Sequence, residues 1–283
     1  MATNTVINTN MMALTAHRNL GAVGNRQSKA NQKLSSGKKI NSAADDAAGL
    51  AIADKMKSQI RGLDMATKNA EDGVSLIQTA EGAMSEITNM LQRIRELTLQ
   101  GANGTNTTED RTKLKEEVSK LSKEINAVAG RTEFNKKALL TGALSEGITL
   151  QIGANGGQTI QVSMASAVIR MESLGFDSDL GGSFSDAVDG GSSDKLISNL
   201  DTALGKIATN RAKLGAYQNS LDYTINNLKN TRENLSAANS RIEDTDMAKE
   251  MMELTQANVL QQAATSMLAQ ANQAPNSITQ LLG

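Results

Sequence analysis

Few side chains in this sequence could do covalent or acid–base chemistry, and their spacing keeps them apart. His17 is the only histidine in 283 residues, and there is no cysteine. A His-based metal cluster or a Ser-His-Asp triad needs partners that a lone imidazole lacks. Thiolate catalysis, disulfides and Cys-type zinc sites are excluded outright. Ala16 and Arg18 flank His17 on an amphipathic stretch, which reads as a surface or interface position. Asp177, Asp179 and Asp186 could supply paired carboxylates, but they sit in a Gly/Ser-rich stretch with nothing apolar to raise a pKa. Neither a D-x-[DN]-x-[DN]-G loop followed by Glu nor an H-E-x-x-H pair occurs. The expectation is a protein without catalytic residues, cofactor or metal.

Charge and ring content narrow the partners. Lys and Arg number 29 against 30 Asp and Glu, a formal net charge of -1, so no basic field draws nucleic acid or acidic lipid. Aromatic residues are 2% of the chain, with no Trp, which removes stacking platforms for bases or sugars. Leu, Ile, Met and Ala must fill the interior instead, and close-packed helices accept them better than a sandwich or barrel. The opening MATNTVINTN has neither a basic nor an apolar region of the Sec type. No run approaches the ~20 apolar residues of a membrane span, so membrane insertion is not expected.

The elements that position these residues are read from periodicity. The single proline, Pro275, lies near the C-terminus, so almost nothing interrupts helices before it. Leu200, Ile207, Leu214, Leu221, Leu228, Leu235 and Ile242 recur every seven residues. Their companions are Leu204, Arg211, Gln218, Ile225, Arg232 and Asn239, which gives a coiled-coil-like helix with a narrow apolar stripe. A second helix is expected from about 43 to 100, after a capping-box-like Ser42-Ala-Ala-Asp45. Met56, Ile60, Leu63, Thr67, Ala70, Val74, Ile77, Glu81, Met84 and Leu91 keep a 4,3 spacing there, and Ile87 and Ile94 then shift the stripe by one. At ~1.5 Å per residue such a helix is on the order of 85 Å long. Thr107 or Thr108 can cap a third helix carrying Leu114, Val118, Leu121, Ile125 and Val128. Short connections make these antiparallel neighbours. The fold class is therefore mainly α: an elongated antiparallel helical bundle or coiled coil, with a small β-hairpin region at the middle of the chain.

That middle differs in pattern. Thr149 to Val162 alternates apolar and polar residues about a Gly-rich turn, a hairpin signal. Residues 175–194 are dominated by Gly, Ser and Asp and read as an exposed loop tip. The expected organisation is 1–41 and 243–283 as two halves of one terminal helical domain, 42–142 with 195–242 as a helical rod, and 143–194 as the hairpin and loop tip of that rod. The terminal segments carry apolar faces: Ile7, Met11, Leu14, Leu20, Val23, Ala30 and Leu34 at one end, and Met247, Met251, Leu254, Leu260, Ala264, Met267, Leu268 and Ala271 at the other. Both lie outside the capped rod with nothing left to cover them. They are expected to be largely disordered in the monomer and to order by packing against copies of themselves.

At these ends the sequence resembles bacterial flagellin. MATNTVINTNMMALTAHRNL, LSSGKKINSAADDAAGLAIADKMKSQIRGL (34–63), MLQRIRELTLQGANGT (90–105), RTEFNKKALLTG (131–142), LQIGANGGQTI (150–160) and LQQAATSMLAQANQAPNSITQLL (260–282) carry the likeness in order along nearly the whole chain. The resemblance implies a structural subunit that polymerises into the flagellar filament for motility, with paired terminal helices as its inner tube. Assembly would rest on Ile7, Met11, Leu14, Leu20, Val23, Leu34, Met247, Met251, Leu254, Leu260, Ala264 and Leu268. It implies a secreted, extracellular location reached through the flagellar type III secretion channel. The implied partners are copies of itself, an export chaperone covering the C-terminal helix, and hook-junction and cap proteins. Only 143–194 occupies the place of the large outer domains of longer members, which marks a short form.

The resemblance also implies recognition by the vertebrate Toll-like receptor for flagellin, an innate immune receptor of the host. The matching positions are Gln92, Arg93 and Leu97 on the second helix and Glu117 on the next. Arg93 and Leu97 are i,i+4 neighbours and would form one mixed patch. Two other readings compete with the filament subunit. A hook–filament junction protein shares similar terminal helices but usually departs from QRIREL and QANQAP. A stalked enzyme or adhesin would need a head, for which 143–194 is too short.

Overall fold

The computed structural model describes residues 9–142, 147–163, 168–176, 179–189 and 193–282, with side chains as far as Gln273. Among them are seven helices and two small antiparallel strand pairs. In chain order these are α1 (Met11–Ser36), α2 (Ala47–Gly101), α3 (Thr108–Arg131), β1 (Glu133–Phe134), β2 (Lys137–Ala138), β3 (Ile148–Gln151), β4 (Thr159–Val162), α4 (Met171–Leu174), α5 (Leu180–Asp189), α6 (Ser193–Glu243) and α7 (Met247–Leu282). The chain forms two compact units, Met1–Ser58 with Asn234–Gly283, and Gln59–Glu233.

In the Gln59–Glu233 unit α2 and α6 run antiparallel. Arg95 meets Asp201 at 2.7 Å, Arg211 meets Glu81 at 3.5 Å, and Arg232 meets Asp64 at 2.8 Å. Such exposed pairs add little stability each, but they flank the seam and fix its register. The α2 seam is Leu63, Ala66, Ala70, Gly73, Ile77, Ala80, Met84, Ile87, Leu91, Ile94 and Thr98, a continuous 3,4 repeat of buried residues. The one-residue shift expected at Ile87 is therefore absent. Thr67, Val74 and Glu81 lie beside the seam, and the small residues Ala66, Gly73 and Ala80 lie in it. Small side chains there admit neighbours. A Cβ on Gly73 would come within 2.4 Å of Leu150 Cδ1, a residue of β3. The β3–β4 hairpin pairs Ile148 with Val162 and Gln151 with Thr159, and Asn69 Nδ2 donates to the Gln151 carbonyl at 3.0 Å.

α3 opens on a full capping box, with Thr107 and Asp110 each binding the other's backbone amide. The strand pair β1–β2 turns through Asn135 and Lys136, both with positive φ, as a tight hairpin demands.

Residues 180–189 correct the loop-tip expectation for 143–194. They form α5, whose Leu180, Phe184, Ala187 and Val188 are buried in the core with Leu91, Ile94 and Val118. Ser122 Oγ accepts from Leu180 N, and Asp179 takes hydrogen bonds from Ser119 Oγ and Gly181 N, so α3 holds the entry to α5. Gly, Ser and Asp dominate the composition, yet Leu180, Phe184, Ala187 and Val188 keep helical spacing, and burial follows the face rather than the average. Phe184, at 1% exposed, is the test. Phe184→Ala should cost about 3–5 kcal/mol of unfolding free energy in urea; a loss below about 0.5 kcal/mol is what a solvated loop would give.

Candidate functional site

The Met1–Ser58 and Asn234–Gly283 unit carries the candidate site, a helical pair joined by a charged hinge. Gly37 ends α1 with φ 71°, donating to the Lys33 carbonyl at 2.8 Å. Lys38 then bridges to Asp244, Lys39 N donates to the Glu243 carbonyl at 2.6 Å, and Thr245 N donates to the Gly37 carbonyl at 3.1 Å. At this crossing Glu243 is 3% exposed and bonds Lys38 at 2.8 Å and Lys57 at 2.5 Å. Burial alone would push its carboxyl up, but Lys38 and Lys57 together outweigh burial and hold it below the ordinary value. Glu243 in turn raises Lys38.

The turn between α1 and α2 corrects the capping expectation. Ser42 N and Oγ and Asn41 N all donate to Asp45 Oδ2, closing a turn one step before the helix. Those bonds lower the Asp45 carboxyl, the backbone amide of Asn41 contributing most. The cap of α2 is Asp46, which accepts from Gly49 N at 2.9 Å. Asp246 does the same for α7, accepting from Ala248 N and Lys249 N.

From this hinge α1 and α7 run antiparallel. Lys33 meets Glu250 at 3.5 Å, Gln27 Nε2 donates to Asn258 Oδ1 at 2.7 Å, and Asn10 Nδ2 donates to the Ala271 carbonyl at 2.7 Å. Over the described residues both segments are helical and pair along their length. The inward seam is Ala13, Ala16, Leu20, Val23, Gln27, Ala30 and Leu34 on α1, and Glu250, Leu254, Ala257, Gln261, Ala264, Leu268 and Ala271 on α7. The twelve expected assembly positions thus divide. Leu20, Val23, Leu34, Leu254, Ala264 and Leu268 are half-buried in the seam. Met11, Leu14, Met247, Met251 and Leu260 are exposed. Ile7 lies outside the described residues.

The exposed set continues through residues the periodicity did not single out: Met12, Met252 and Val259, the last 60% exposed. Met251, Met252, Val259 and Leu260 line one patch of α7 with Thr255 and Gln256. A groove of about 700 Å³ between α1 and α7 is edged by Met11, Met12, Val23, Leu260 and Met267. Residues 1–17 and 254–283 contain no Asp, Glu, Lys or Arg. Large uncharged patches rimmed by polar side chains mark interaction surfaces. Among the described residues no group of acidic, His or Cys side chains could hold a metal, and no helix is long and apolar enough to cross a membrane.

The α2–α3 positions divide as well. Arg93 is exposed and donates to Glu117 Oε1 at 3.0 Å and to Glu96 Oε2 at 3.1 Å, with Gln92 exposed beside it. Leu97 is 0% exposed. The mixed Arg93–Leu97 patch is therefore corrected: an i,i+4 spacing shares a face only loosely, and Leu97 turns toward the bundle core.

Residues 7–145 match the bacterial flagellin N-terminal helical region, and residues 197–282 match the bacterial flagellin C-terminal helical region. The chain belongs to the flagellin family. It is 46% identical over 277 residues to a flagellin of Halalkalibacterium halodurans, covering 98% of this chain and 99% of that protein. To a flagellar filament 33 kDa core protein of Treponema phagedenis it is 44% identical over 289 residues, again covering 98% and 99%. A proposed flagellar hook-associated protein of Vibrio parahaemolyticus shares the fold at TM-score 0.61, with 14% identity over 71% of this chain and all of that one. The flagellin is a short-form structural subunit of the extracellular motility filament; it polymerises with itself and is not an enzyme.

The hinge gives a prediction with a definite sign. A carboxyl held below its ordinary value contributes stability above that value, near 4.5 for glutamate, and loses it as pH falls through the folded value. Glu243→Ala should cost on the order of 2 kcal/mol locally, read as roughly thirtyfold faster hydrogen exchange at the Lys39 and Thr245 amides. In the parent protein those two amides should lose protection as pH falls below the ordinary glutamate value of 4.5 while Glu243→Ala shows no further loss; parallel pH curves would remove Glu243 from the hinge.

Proposed function

We propose that this flagellin builds its filament by burying the outward Met-, Leu- and Val-bearing faces of α1 and α7 against other copies, while the seam residues hold each pair together. The observation that carries this is the exposed set itself: Leu20, Val23, Leu34, Leu254 and Leu268 share the seam with alanines and polar side chains, and Met11, Met12, Leu14, Met251, Met252, Val259 and Met267 remain exposed outside it. Large apolar groups left in water beyond a filled seam are stabilised by burial against another surface. Assembly thus uses Met11, Leu14, Met247, Met251 and Leu260 as contacts between subunits. Leu20, Val23, Leu34, Leu254, Ala264 and Leu268 act within one.

The same faces account for the other partners. The chain leaves the cell unfolded through the flagellar type III secretion channel, and an export chaperone covers α7, whose uncharged face needs a cover before assembly. Hook-junction and cap proteins meet the same paired helices at the two ends of the filament. The vertebrate Toll-like receptor binds through Gln92, Arg93 and Glu117, with Leu97 supporting them from beneath.

Two experiments test this reading. In seeded polymerisation watched by negative-stain electron microscopy, Val259→Asp should abolish elongation while far-ultraviolet circular dichroism stays unchanged. Long filaments from Val259→Asp would contradict the outward-face assignment. In a receptor-reporter assay on monomer, Arg93→Ala should weaken the response about tenfold or more, without a change in unfolding midpoint. Equal potency of Arg93→Ala and parent would remove the receptor from this face.

A further inference from the structure

The exposed sulfurs of this flagellin are concentrated on the helices that assemble. Met11, Met12, Met247, Met251, Met252 and Met267 are 47% to 66% exposed and all lie on α1 or α7. In the Gln59–Glu233 unit Met84 and Met171 are fully buried in the core, and Met65 of α2, 55% exposed, is the exception. The chain has no cysteine, so methionine supplies all of its side-chain sulfur. An exposed thioether is open to two-electron oxidants, and the product alters the property on which an apolar contact depends.

We propose that these six methionines are a modification site: their oxidation to sulfoxide by a hydroperoxide removes a subunit from the polymerisable pool, and reduction restores it. The step is balanced. The thioether sulfur donates an electron pair to one peroxide oxygen, the O–O bond breaks, an S=O bond forms, and the leaving oxygen takes the proton of the transferred oxygen and departs as water from hydrogen peroxide or as an alcohol from an organic hydroperoxide. Met11, Met12 and Met267 lie in segments 1–17 and 254–283, which carry no Asp, Glu, Lys or Arg, and Met247, Met251 and Met252 precede the second of them; each sulfoxide adds a strongly polar oxygen to a face that the proposed contact dehydrates. Burying that oxygen without a donor is costly, so an oxidised face joins the filament poorly. Once buried between copies the same sulfurs are shielded, which makes the free subunit the sensitive form. Oxidation leaves the α1–α7 seam intact, because Ala13, Ala16, Ala30, Ala257 and Ala271 hold no sulfur.

This inference rests on the outward-face reading of assembly, and the experiment separates the two. Monomer is treated with limiting hydrogen peroxide so that each methionine is only partly oxidised, seeded with filament fragments, and spun into filament and unincorporated fractions. Peptide mass spectrometry then gives the sulfoxide content of each methionine in both fractions. Sulfoxide at the six α1 and α7 positions should be depleted about tenfold in the filament relative to the unincorporated fraction. Treating the unincorporated fraction with the two methionine sulfoxide reductases should return it to competence. Equal sulfoxide at these positions in both fractions overturns the proposal, as does a reduced fraction that still fails to elongate. Val259→Asp, which involves no sulfur, is run unoxidised beside it. Its polymerisation would overturn the face assignment itself, whereas its failure together with equal sulfoxide partition would overturn only the redox step.

Discussion

The structure depends on how closely α1 and α7 can approach, and that is set by the small side chains between them. Ala13, Ala16 and Ala30 oppose Ala257, Ala264 and Ala271 along an antiparallel register pinned by Lys33–Glu250, Gln27–Asn258 and Asn10 to the Ala271 carbonyl. Between these alanines Leu20, Val23, Leu34, Leu254 and Leu268 supply most of the apolar area that the seam buries. A second set of large apolar groups, Met11, Met12, Leu14, Met251, Met252, Val259 and Met267, stays exposed outside the seam, and the proposed assembly covers it with neighbouring copies.

The hinge and the bundle supply what such a pair lacks. Glu243 accepts from both Lys38 and Lys57 while the backbones of Gly37, Lys39, Glu243 and Thr245 bond in both directions, so the start of α7 is tied to the end of α1 by charge and by amides. The Gln59–Glu233 unit has the opposite character: Ile77, Met84, Ile87, Leu91, Ile94 and Leu97 are all buried, and Phe184 closes one side of the core. Its conventional interior carries the folding stability, and the terminal unit carries the unsatisfied surface. That division matches a family whose members are structural subunits rather than catalysts.

Much of this was legible in the residues, and the failures have common causes. The seven-residue repeat of α6 and the hairpin at 148–162 were legible because large apolar side chains mark them. The α2 seam was misplaced at Ala66, Gly73 and Ala80 because periodicity was read from large residues, whereas a close helix contact selects small ones. α5 was hidden by a composition of Gly, Ser and Asp, although Leu180, Phe184, Ala187 and Val188 held the signal. Leu97 was paired with Arg93 by spacing alone, and spacing does not say which side of a four-residue step faces solvent. At the ends, the apolar positions were identified as a group, but inward and outward faces separate only when the partner helix is known. Leu254 and Met251 differ by three residues in sequence and by which protein surface they serve.

The central claim is that the outward face of α7, not the seam, is what the polymer buries. The absence of cysteine allows a single reporter at Val259 to test it directly. In a Val259→Cys protein, maleimide labelling should be fast in the monomer and slow by about a hundredfold or more in seeded filaments, as expected for a fully desolvated contact. Equal labelling rates in monomer and filament would mean that this face stays in water after assembly, and that the contacts holding the filament together lie elsewhere on the chain.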